Sequence, residues 1–323
     1  MHDSSPVAPI PHGLSPTRTD SAAAGTGRYF TRTTSAYVIQ QQINAGGKML
    51  RSGLMLMLAR FGEPDNAELV TAGAAIEALH LATLVHDDVL DHADIRRGMT
   101  TVSAESGNRE AIYAGDFLFA IYFQLLSEQD PETVDLRTNA RIMKRIFMGE
   151  VDQNGPSAPL IPTVNAYLSA ISGKTAALFA LATYTGATIG HLSATQKRAA
   201  YRFGRQLGMA FQMIDDLLDY TQTAKTLNKP TLEDLNNGIV TLPLIYAYQT
   251  VPDQLTPLTK TAEQIAANAD EIAAIVRKHG LPQAHQLAFT YTHRAIAALN
   301  PLPSSPTKAA LTKLTQQLLQ RTN

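Results

Sequence analysis

The chain has 323 residues, of which 45% are hydrophobic and 17% are charged, and its formal net charge at pH 7 is −1. This balance gives no electrostatic reason to expect nucleic acid or an anionic membrane surface as a partner. The sequence has no cysteine. Disulfides, zinc thiolate sites and iron–sulfur clusters are therefore excluded, and we expect a cytoplasmic location.

The N-terminal stretch 1–28 is rich in Pro, Ser, Thr, Ala and Gly and lacks the apolar core of a signal peptide. We predict that it is a flexible tail. No run of 18 apolar residues occurs after it, and we therefore expect no transmembrane segment.

From Tyr29 onward the spacing of apolar residues is helical almost throughout, and the alternation typical of strands is absent. Gly, Pro and Asn separate the helical stretches. The predicted helices lie, in chain order, near residues 36–44, 50–61, 67–93, 108–127, 133–152, 163–190, 194–221, 238–249, 258–279, 283–299 and 305–321. We predict a single all-α domain over residues 29–323, a helical bundle around a central cavity.

The helix predicted near 67–93 carries three carboxylates, at Asp87, Asp88 and Asp91. On a helix the first and the last of them lie on one face, about 6 Å apart along the axis. Like charges at this spacing weaken an isolated helix, so the pattern indicates a bound cation. The alternative is a solvated acidic face, but the apolar residues around the motif favour a cavity over open water.

The same pattern returns 128 residues later, at Asp215, Asp216 and Asp219, on the amphipathic helix predicted over 194–221. We expect that helix to begin at Thr195. Clustered Asp oxygens suit hard cations such as Mg²⁺, Mn²⁺ or Ca²⁺, and neither copy has the glycine-centred loop of an EF-hand. Mg²⁺ typically binds one or two carboxylates together with substrate phosphates, so the doubled motif favours Mg²⁺ bound with a diphosphate.

A second set of residues is basic and lies near predicted turns or helix ends. Arg recognises phosphate through two parallel hydrogen bonds, and Lys contributes a compact charge. Each has an ordinary alternative, such as a partner for the helix dipole, and His80 alone would be a packed histidine. Beside a doubled metal motif they favour recognition of a diphosphate. The set comprises Lys48, Arg51, Arg96, Arg97, Lys174 and Lys229.

These residues belong to short motifs that follow one another along the chain. They are Gly46-Gly47-Lys48…Arg51, Glu77…His80, His86-Asp87-Asp88…Asp91, Arg96-Arg97-Gly98, Gly115-Asp116, Gly173-Lys174-Thr175, Phe211-Gln212…Asp215-Asp216…Asp219 and Lys229-Pro230. In this order they resemble the trans-polyprenyl diphosphate synthases, from about residue 37 to the C-terminus. The resemblance implies an all-α fold of the isoprenoid synthase type, usually homodimeric. It also implies a prenyltransferase that joins isopentenyl diphosphate to an allylic diphosphate with Mg²⁺.

The resemblance assigns metal roles to the acidic motifs. It implies that Asp87 and Asp91 are ligands to two Mg²⁺ ions and that Asp88 supports them. It implies that Asp215 is the ligand to a third ion, which Asp219 reaches through water. Mn²⁺ is an alternative to Mg²⁺. Together with Asp216 and Lys174, which follow the same motifs, these residues form the expected catalytic set.

The resemblance also separates two diphosphate subsites. The allylic diphosphate is expected to contact Arg96, Lys174, Gln212 and Lys229, with Thr175 beside them. Isopentenyl diphosphate is expected to contact Lys48, Arg51, His80 and Arg97.

Four positions depart from the family pattern. The family usually has Arg where Met49 stands, Pro at Ser52, Gly at Leu232 and a second Lys at Ile239. The missing Lys removes one cation near the allylic diphosphate, which implies weaker substrate binding or a chain that works with a partner subunit. The metal motifs are complete, so a competent catalyst is expected.

The length of the product depends in this family on a bulky aromatic residue four or five positions before the first Asp. Here those positions are Thr83 and Ala82, both of them small. We therefore expect elongation past C20, to C25 or longer, with Phe119 and Phe123 as candidate deeper stops.

Other functions remain open at this point. A terpene cyclase would share the first acidic motif but should lack the second and the isopentenyl diphosphate pocket. A non-catalytic subunit should have eroded motifs, and a diphosphate-binding protein would not explain two cation groups. A short-chain C15 or C20 synthase is the nearest alternative in chemistry.

Overall fold

The computed structural model describes residues 49–96, 98–154, 159–221 and 232–320. Several predictions concern residues outside the described ranges. They are the tail, the helix near 36–44 and three substrate contacts, Lys48, Arg97 and Lys229.

Among the described residues, the regular secondary structure is helical except for one small hairpin, which confirms the predicted all-α class. The helices up to the second acidic motif are α1 (Leu50–Ala59), α2 (Asn66–Leu90), α3 (Val102–Ser106), α4 (Asn108–Ser127), α5 (Leu136–Asn154), α6 (Val164–Lys174), α7 (Ala176–Ile189) and α8 (Ala194–Thr221). The later ones are α9 (Glu233–Asn236), α10 (Leu242–Thr250), α11 (Pro252–Leu255), α12 (Ala262–Ala267), α13 (Ala269–His279), α14 (Leu281–Ala298) and α15 (Pro306–Gln320), with a 3₁₀ turn at Thr256–Leu258.

Side-chain caps mark where several helices begin. Asp65 accepts from the Ala67 amide at 2.7 Å before α2, and Thr163 accepts from the Ala166 amide at 3.1 Å before α6. Such caps satisfy amides that have no partner within the helix. For α8 the predicted entry at Thr195 is wrong. Ser193 is the cap, because its hydroxyl accepts from the Gln196 amide and the Gln196 side chain accepts from the Ser193 amide.

A hairpin between α2 and α3 was absent from the sequence prediction. Strands β1 (Ile95–Arg96) and β2 (Met99–Thr100) pair antiparallel, and Gly98 in the turn between them has a φ of 77°. Two-residue strands are too short to show an alternating pattern, so periodicity could not reveal them. Gly tolerates this left-handed conformation without steric cost.

The described residues form two compact units. One comprises Thr188–His191 and the described residues up to Val134; the other comprises Asp135–Ala187 and the described residues from Leu192 onward. The single domain over 29–323 and its central cavity stay predictions.

In the first unit α2 packs along α4. Small side chains make this approach close, because Ala82, Ala111 and Ala114 are buried together with larger aliphatic residues of the same cluster. Gly115 leaves room for the His86 ring, since a Cβ there would lie 2.3 Å from it. The packing brings α4 against the end of α2 that carries the first acidic motif.

Helix α2 is also apolar and long enough, by composition alone, to cross a membrane. The sequence contains no uninterrupted run of 18 apolar residues, so the search for such a run did not detect this helix. Of its most apolar window, 56% is buried inside the protein. The helix therefore has the burial of a core helix.

In the second unit, glycines allow two pairs of helices to approach closely. A Cβ on Gly149 of α5 would lie 2.5 Å from the Lys174 amide of α6, and a Cβ on Gly208 of α8 would lie 2.6 Å from the Ala176 backbone of α7. Real Cβ atoms do not approach other atoms this closely, so a larger residue would separate the helices. Gly173 lies inside α6, within the helix predicted over 163–190, and a Cβ there would lie 2.5 Å from the Arg145 carbonyl oxygen of α5.

Candidate active site

The first acidic motif occupies the C-terminal end of α2. The Asp91 amide donates to the Asp87 carbonyl at 2.8 Å, so the helical turn continues through Asp91 and both carboxylates start from one face. Asp87 is half-buried and Asp91 is exposed, whereas Asp88 is only 1% exposed. The two predicted metal ligands of this motif are therefore the two that solvent reaches.

Asp88 is held by the hairpin. The Arg96 Nε atom of β1 donates to Asp88 Oδ1 at 2.5 Å, while Asp88 Oδ2 is buried without a hydrogen-bond partner among the described residues. Burial raises the pKa of Asp88 above its ordinary value, and the Arg96 guanidinium opposes that rise. Arg96 thus has a structural partner in this motif, and its contact with the allylic diphosphate stays a prediction.

Two residues predicted for the isopentenyl diphosphate pocket lie together. Arg51 Nη1 of α1 and His80 Nε2 of α2 are 3.1 Å apart, and both side chains are half-buried. Next to this pair, the Ser52 amide donates to Glu77 Oε1 at 3.3 Å. Arg51 and His80 are 29 residues apart in the chain, and only the family resemblance linked them in the sequence. The structure brings their side chains into contact.

The second acidic motif lies near the end of α8. Asp215 is exposed, whereas Asp216 is 2% exposed. The Tyr167 hydroxyl of α6 donates to Asp216 Oδ2 at 2.6 Å, and Gln212 Nε2 donates to Asp216 Oδ1 at 2.9 Å. Burial raises the pKa of Asp216 to about 7, the Asp215 charge adds to the rise, and the bonds from Tyr167 and Gln212 oppose it.

A chain of hydrogen bonds connects this motif to the junction of α6 and α7. The Thr175 hydroxyl donates to Gln212 Oε1 at 2.7 Å, and Gln212 in turn donates to Asp216. Beside Thr175, Lys174 Nζ lies 3.1 Å from Glu150 Oε2 of α5. Residues predicted from two separate motifs, Thr175 from one and Gln212 and Asp216 from the other, therefore form one network.

Two side chains that contact the predicted residues, Tyr167 at Asp216 and Glu150 at Lys174, were not predicted from the sequence. Tyr167 lies seven residues before Lys174 on α6, two turns away on the same face. The spacing was available as a signal, because His80 likewise lies seven residues before Asp87. Glu150 had no such signal, because only the close packing of α5 on α6 brings it to Lys174.

Asp219 differs from the other motif residues in its contacts. Its Oδ1 atom accepts from the Glu233 amide at 3.0 Å and its Oδ2 atom accepts from the Asp234 amide at 3.2 Å. These are first-turn amides of α9, so Asp219 joins α8 to that short helix. The expected contact of Asp219 with a metal through water stays a prediction.

The four departures from the family pattern have distinct surroundings. Leu232 adopts a left-handed φ of 57°, a conformation that the usual Gly adopts without steric cost. Its buried side chain packs in the core of the second unit. Met49 also has a left-handed φ, of 42°. The Ser52 amide is used by Glu77, and the Ile239 side chain is half-buried.

The residues predicted to set product length are not equivalent. Ala82 is 0% exposed within the core formed with α4, whereas Thr83 is partly exposed and its hydroxyl donates to the His80 carbonyl. Phe119 is half-buried and stacks on His86, with ring centroids 5.5 Å apart. Phe123 is 50% exposed on α4. Only Thr83 of the first pair presents an accessible side chain.

The chemistry of the donors fits a hard divalent cation. Asp87, Asp91 and Asp215 offer accessible carboxylate oxygens, which are the ligands that Mg²⁺ and Mn²⁺ prefer. Within the described ranges no three His, Asp or Glu residues form a ready-made metal cage. Mg²⁺ keeps several waters and binds through one or two carboxylates and substrate phosphates, so a cage is not required.

Comparison with known proteins agrees with these features. A family model described as polyprenyl synthetase matches residues 33–279. An all-trans-nonaprenyl-diphosphate synthase (geranyl-diphosphate specific) from Rhodobacter capsulatus is 38% identical over 88% of this chain and 88% of its own. The heptaprenyl diphosphate synthase component 2 of Geobacillus stearothermophilus is 34% identical over 84% of this chain and 85% of its own.

Solved structures share the same fold. A polyprenyl synthase from Caulobacter crescentus CB15, in complex with calcium and isoprenyl diphosphate, has 31% sequence identity and a TM-score of 0.84. That comparison covers 95% of this chain and 98% of the other. The likeness extends beyond a single motif, to nearly the whole of both chains.

Proposed function

This chain belongs to the polyprenyl synthetase family and is a trans-polyprenyl diphosphate synthase, and we propose that it extends an allylic diphosphate with isopentenyl diphosphate units to C25 or longer. The structural observation that supports this reaction is the common design of the two acidic motifs. In each, the first Asp is accessible while the middle Asp is buried and held by protein donors. The accessible first Asp can then offer its carboxylate oxygens to a ligand, while the buried middle Asp holds this part of the helix in place.

The reaction begins when the allylic carbon–oxygen bond breaks, leaving negative charge on the departing diphosphate and positive charge on carbon. Mg²⁺, or Mn²⁺ in its place, would supply Lewis-acid stabilisation of that negative charge when bound. Asp87, Asp91 and Asp215 would hold the ions. Asp88 and Asp216 orient their neighbours from buried positions.

The protein side chains contribute binding and orientation. Lys174, Thr175 and Gln212 would contact the allylic diphosphate, where the Lys charge stabilises the leaving group. The Arg51 and His80 pair would bind isopentenyl diphosphate, whose alkene attacks the allylic carbon to form the new carbon–carbon bond. The released diphosphate takes the proton that is then lost. The alkene is the nucleophile and the diphosphate is the base, so neither role requires a protein side chain.

The length of the product follows from the space next to the first motif. Thr83 is small and partly exposed, so no aromatic side chain at this position blocks a growing tail. Relatives described as nonaprenyl and heptaprenyl synthases support a product longer than C20.

We also propose a homodimer. Ile112, Tyr113, Phe117 and Phe123 leave a large apolar surface exposed on α4, and Phe147, Met148 and Val151 do so on α5. Exposed apolar surfaces of this kind mark protein interfaces. The alternative is a partner subunit, which the printed description of the Geobacillus relative as component 2 suggests. A cytoplasmic location belongs to the same proposal and is compatible with the cysteine-free sequence.

The test is turnover by the purified chain alone. The protein is incubated with labelled isopentenyl diphosphate, allylic primers of several lengths, and Mg²⁺, Mn²⁺ or EDTA, and the products are sized. Metal-dependent products of C25 or longer are expected, from a dimer in solution. A product that stops at C15 or C20 with excess isopentenyl diphosphate would contradict the chain length. A lack of turnover without a second protein would show that a partner subunit is required.

A further inference from the structure

The start of α1 is capped by a residue from another helix. The first-turn amides of a helix lack partners within it, and the N-cap residue Met49 makes no side-chain cap. The Ser52 amide, in this first turn, donates to Glu77 Oε1 of α2 at 3.3 Å. A carboxylate at a helix N-terminus also has a favourable interaction with the helix dipole. Glu77 therefore supplies from α2 the cap that the local sequence of α1 lacks.

This cap lies next to the proposed isopentenyl diphosphate subsite. Ser52 follows Arg51 on α1, and Glu77 precedes His80 by three residues on α2, within one turn of the same face. The contact from Ser52 to Glu77 and the contact of 3.1 Å between Arg51 and His80 thus form two adjacent connections between the same two helices. Both contacts hold the first turn of α1, which carries Arg51, against α2.

The cap depends on a residue that departs from the family pattern. Proline, the usual residue at this position, has no amide hydrogen and could not donate to Glu77. Serine has one, and its hydroxyl is engaged elsewhere because it donates to the Met49 carbonyl at 3.1 Å. Met49 itself holds a left-handed conformation that costs free energy in a non-glycine residue, so the start of α1 needs tertiary support.

We propose that Glu77 is a positioning residue for isopentenyl diphosphate, acting through the Ser52 amide on the orientation of Arg51 and His80. The inference rests on the proposed function. A guanidinium binds a diphosphate well only when both of its hydrogen bonds are aligned, so a small displacement of the first turn of α1 would weaken binding of this substrate more than binding of the allylic one.

The experiment measures the KM of each substrate for Glu77→Ala, Glu77→Gln and Ser52→Pro. Loss of one hydrogen bond should raise the KM for isopentenyl diphosphate about five- to tenfold in Glu77→Ala and Ser52→Pro, with little change in the KM for the allylic primer. Glu77→Gln should restore a KM within about twofold of the parent protein, because an amide oxygen also accepts a hydrogen bond. Combining Ser52→Pro with Glu77→Ala should add little, since both remove the same contact.

Glu68→Ala is a matched control. Glu68 is also on α2, and its Oε1 atom accepts from the Asp130 amide at the same 3.3 Å, away from Arg51. The control should leave both KM values unchanged. If Glu77→Ala does not fold, Ser52→Pro tests the contact from its other side.

Two outcomes separate this inference from the function on which it rests. If Arg51→Ala raises the KM for isopentenyl diphosphate but Glu77→Ala and Ser52→Pro do not, the positioning role is wrong and the subsite stands. If Arg51→Ala leaves that KM unchanged, the subsite itself is misassigned. Equal increases in both KM values in Glu77→Ala would also overturn the inference, because they indicate a general structural defect.

Discussion

Tyr167 and Asp216 are joined by a hydrogen bond of 2.6 Å between the Tyr hydroxyl and Asp216 Oδ2, across 49 positions of sequence. Both side chains are buried, and burial raises the pKa of the Tyr hydroxyl well above its ordinary value, with the Asp216 charge adding to the rise. The Tyr therefore stays protonated and is a permanent donor. This donor holds the middle residue of the second acidic motif while its neighbour Asp215 stays accessible.

Removing this donor should impair catalysis without removing a proposed metal ligand. In Tyr167→Phe, Asp216 Oδ2 loses its buried partner, which should cost about 1–3 kcal/mol of unfolding free energy. We expect turnover to fall about tenfold. Tyr184→Phe is the control, since it also removes a Tyr hydroxyl bond to an Asp, at 3.2 Å to Asp135. Chemical unfolding and steady-state turnover measure both effects, and equal turnover in the two variants would contradict the role of Tyr167.

The accessible carboxylates should dominate turnover. Asp87→Ala and Asp215→Ala should each lower turnover by about 10²–10³-fold or more, because the leaving diphosphate loses charge stabilisation. Circular dichroism should show an unchanged helical content, since both side chains are partly or fully exposed. Turnover is measured across a Mg²⁺ titration. Near-normal turnover of Asp87→Ala at ordinary Mg²⁺ would disprove its assignment as a ligand.

The stability of the metal-free protein should depend on pH through Asp216. Its folded pKa of about 7 lies above its ordinary value near 4, so the folded state binds this proton more tightly than the unfolded state. The contribution is present in full below about pH 4 and is lost as the pH rises to about 7. In EDTA we expect the Tm to decrease over this window, and to decrease less in Asp216→Asn. An identical pH profile in that variant would exclude Asp216 as the cause.

The two diphosphate subsites should separate in kinetics. His80→Ala should raise the KM for isopentenyl diphosphate more than that for the allylic primer, and Lys174→Ala should do the reverse. Each is a charge-assisted contact, for which about 1.5–3 kcal/mol is typical. Steady-state KM values for both substrates test this. Indistinguishable defects in the two variants would argue against separate subsites.

Thr83 and Ala82 should respond differently to the same substitution. Thr83→Phe should shorten the product, because its partly exposed side chain would fill space next to the first motif. Ala82→Phe should instead lower the Tm, because a ring does not fit the packed contact with α4 and overpacking typically costs about 1–3 kcal/mol. Product sizing and thermal unfolding distinguish the two. Unchanged product length in a folded Thr83→Phe would refute the role of that position.

The sequence by itself determined the helical class, the two acidic motifs and the family. These features depend on residues close together in the chain: apolar spacing specifies helices such as 108–127 and 194–221 with the boundaries seen in the structure. Local pattern was weaker where one helix follows another with a single residue between them. The stretch predicted as one helix over 163–190 is two, divided at Thr175, whose φ of −109° and ψ of −54° depart from ideal helical values.

Only the tertiary structure decided which members of each motif are buried and what holds them. The sequence presents Asp87 and Asp88, or Asp215 and Asp216, as equivalent neighbours, but consecutive helical residues point about 100° apart and meet different partners. Those partners, such as Tyr167, lie far away in the chain. Burial and long-range contact arise from the packing of whole helices, and one residue's surroundings cannot be obtained from its neighbours in sequence.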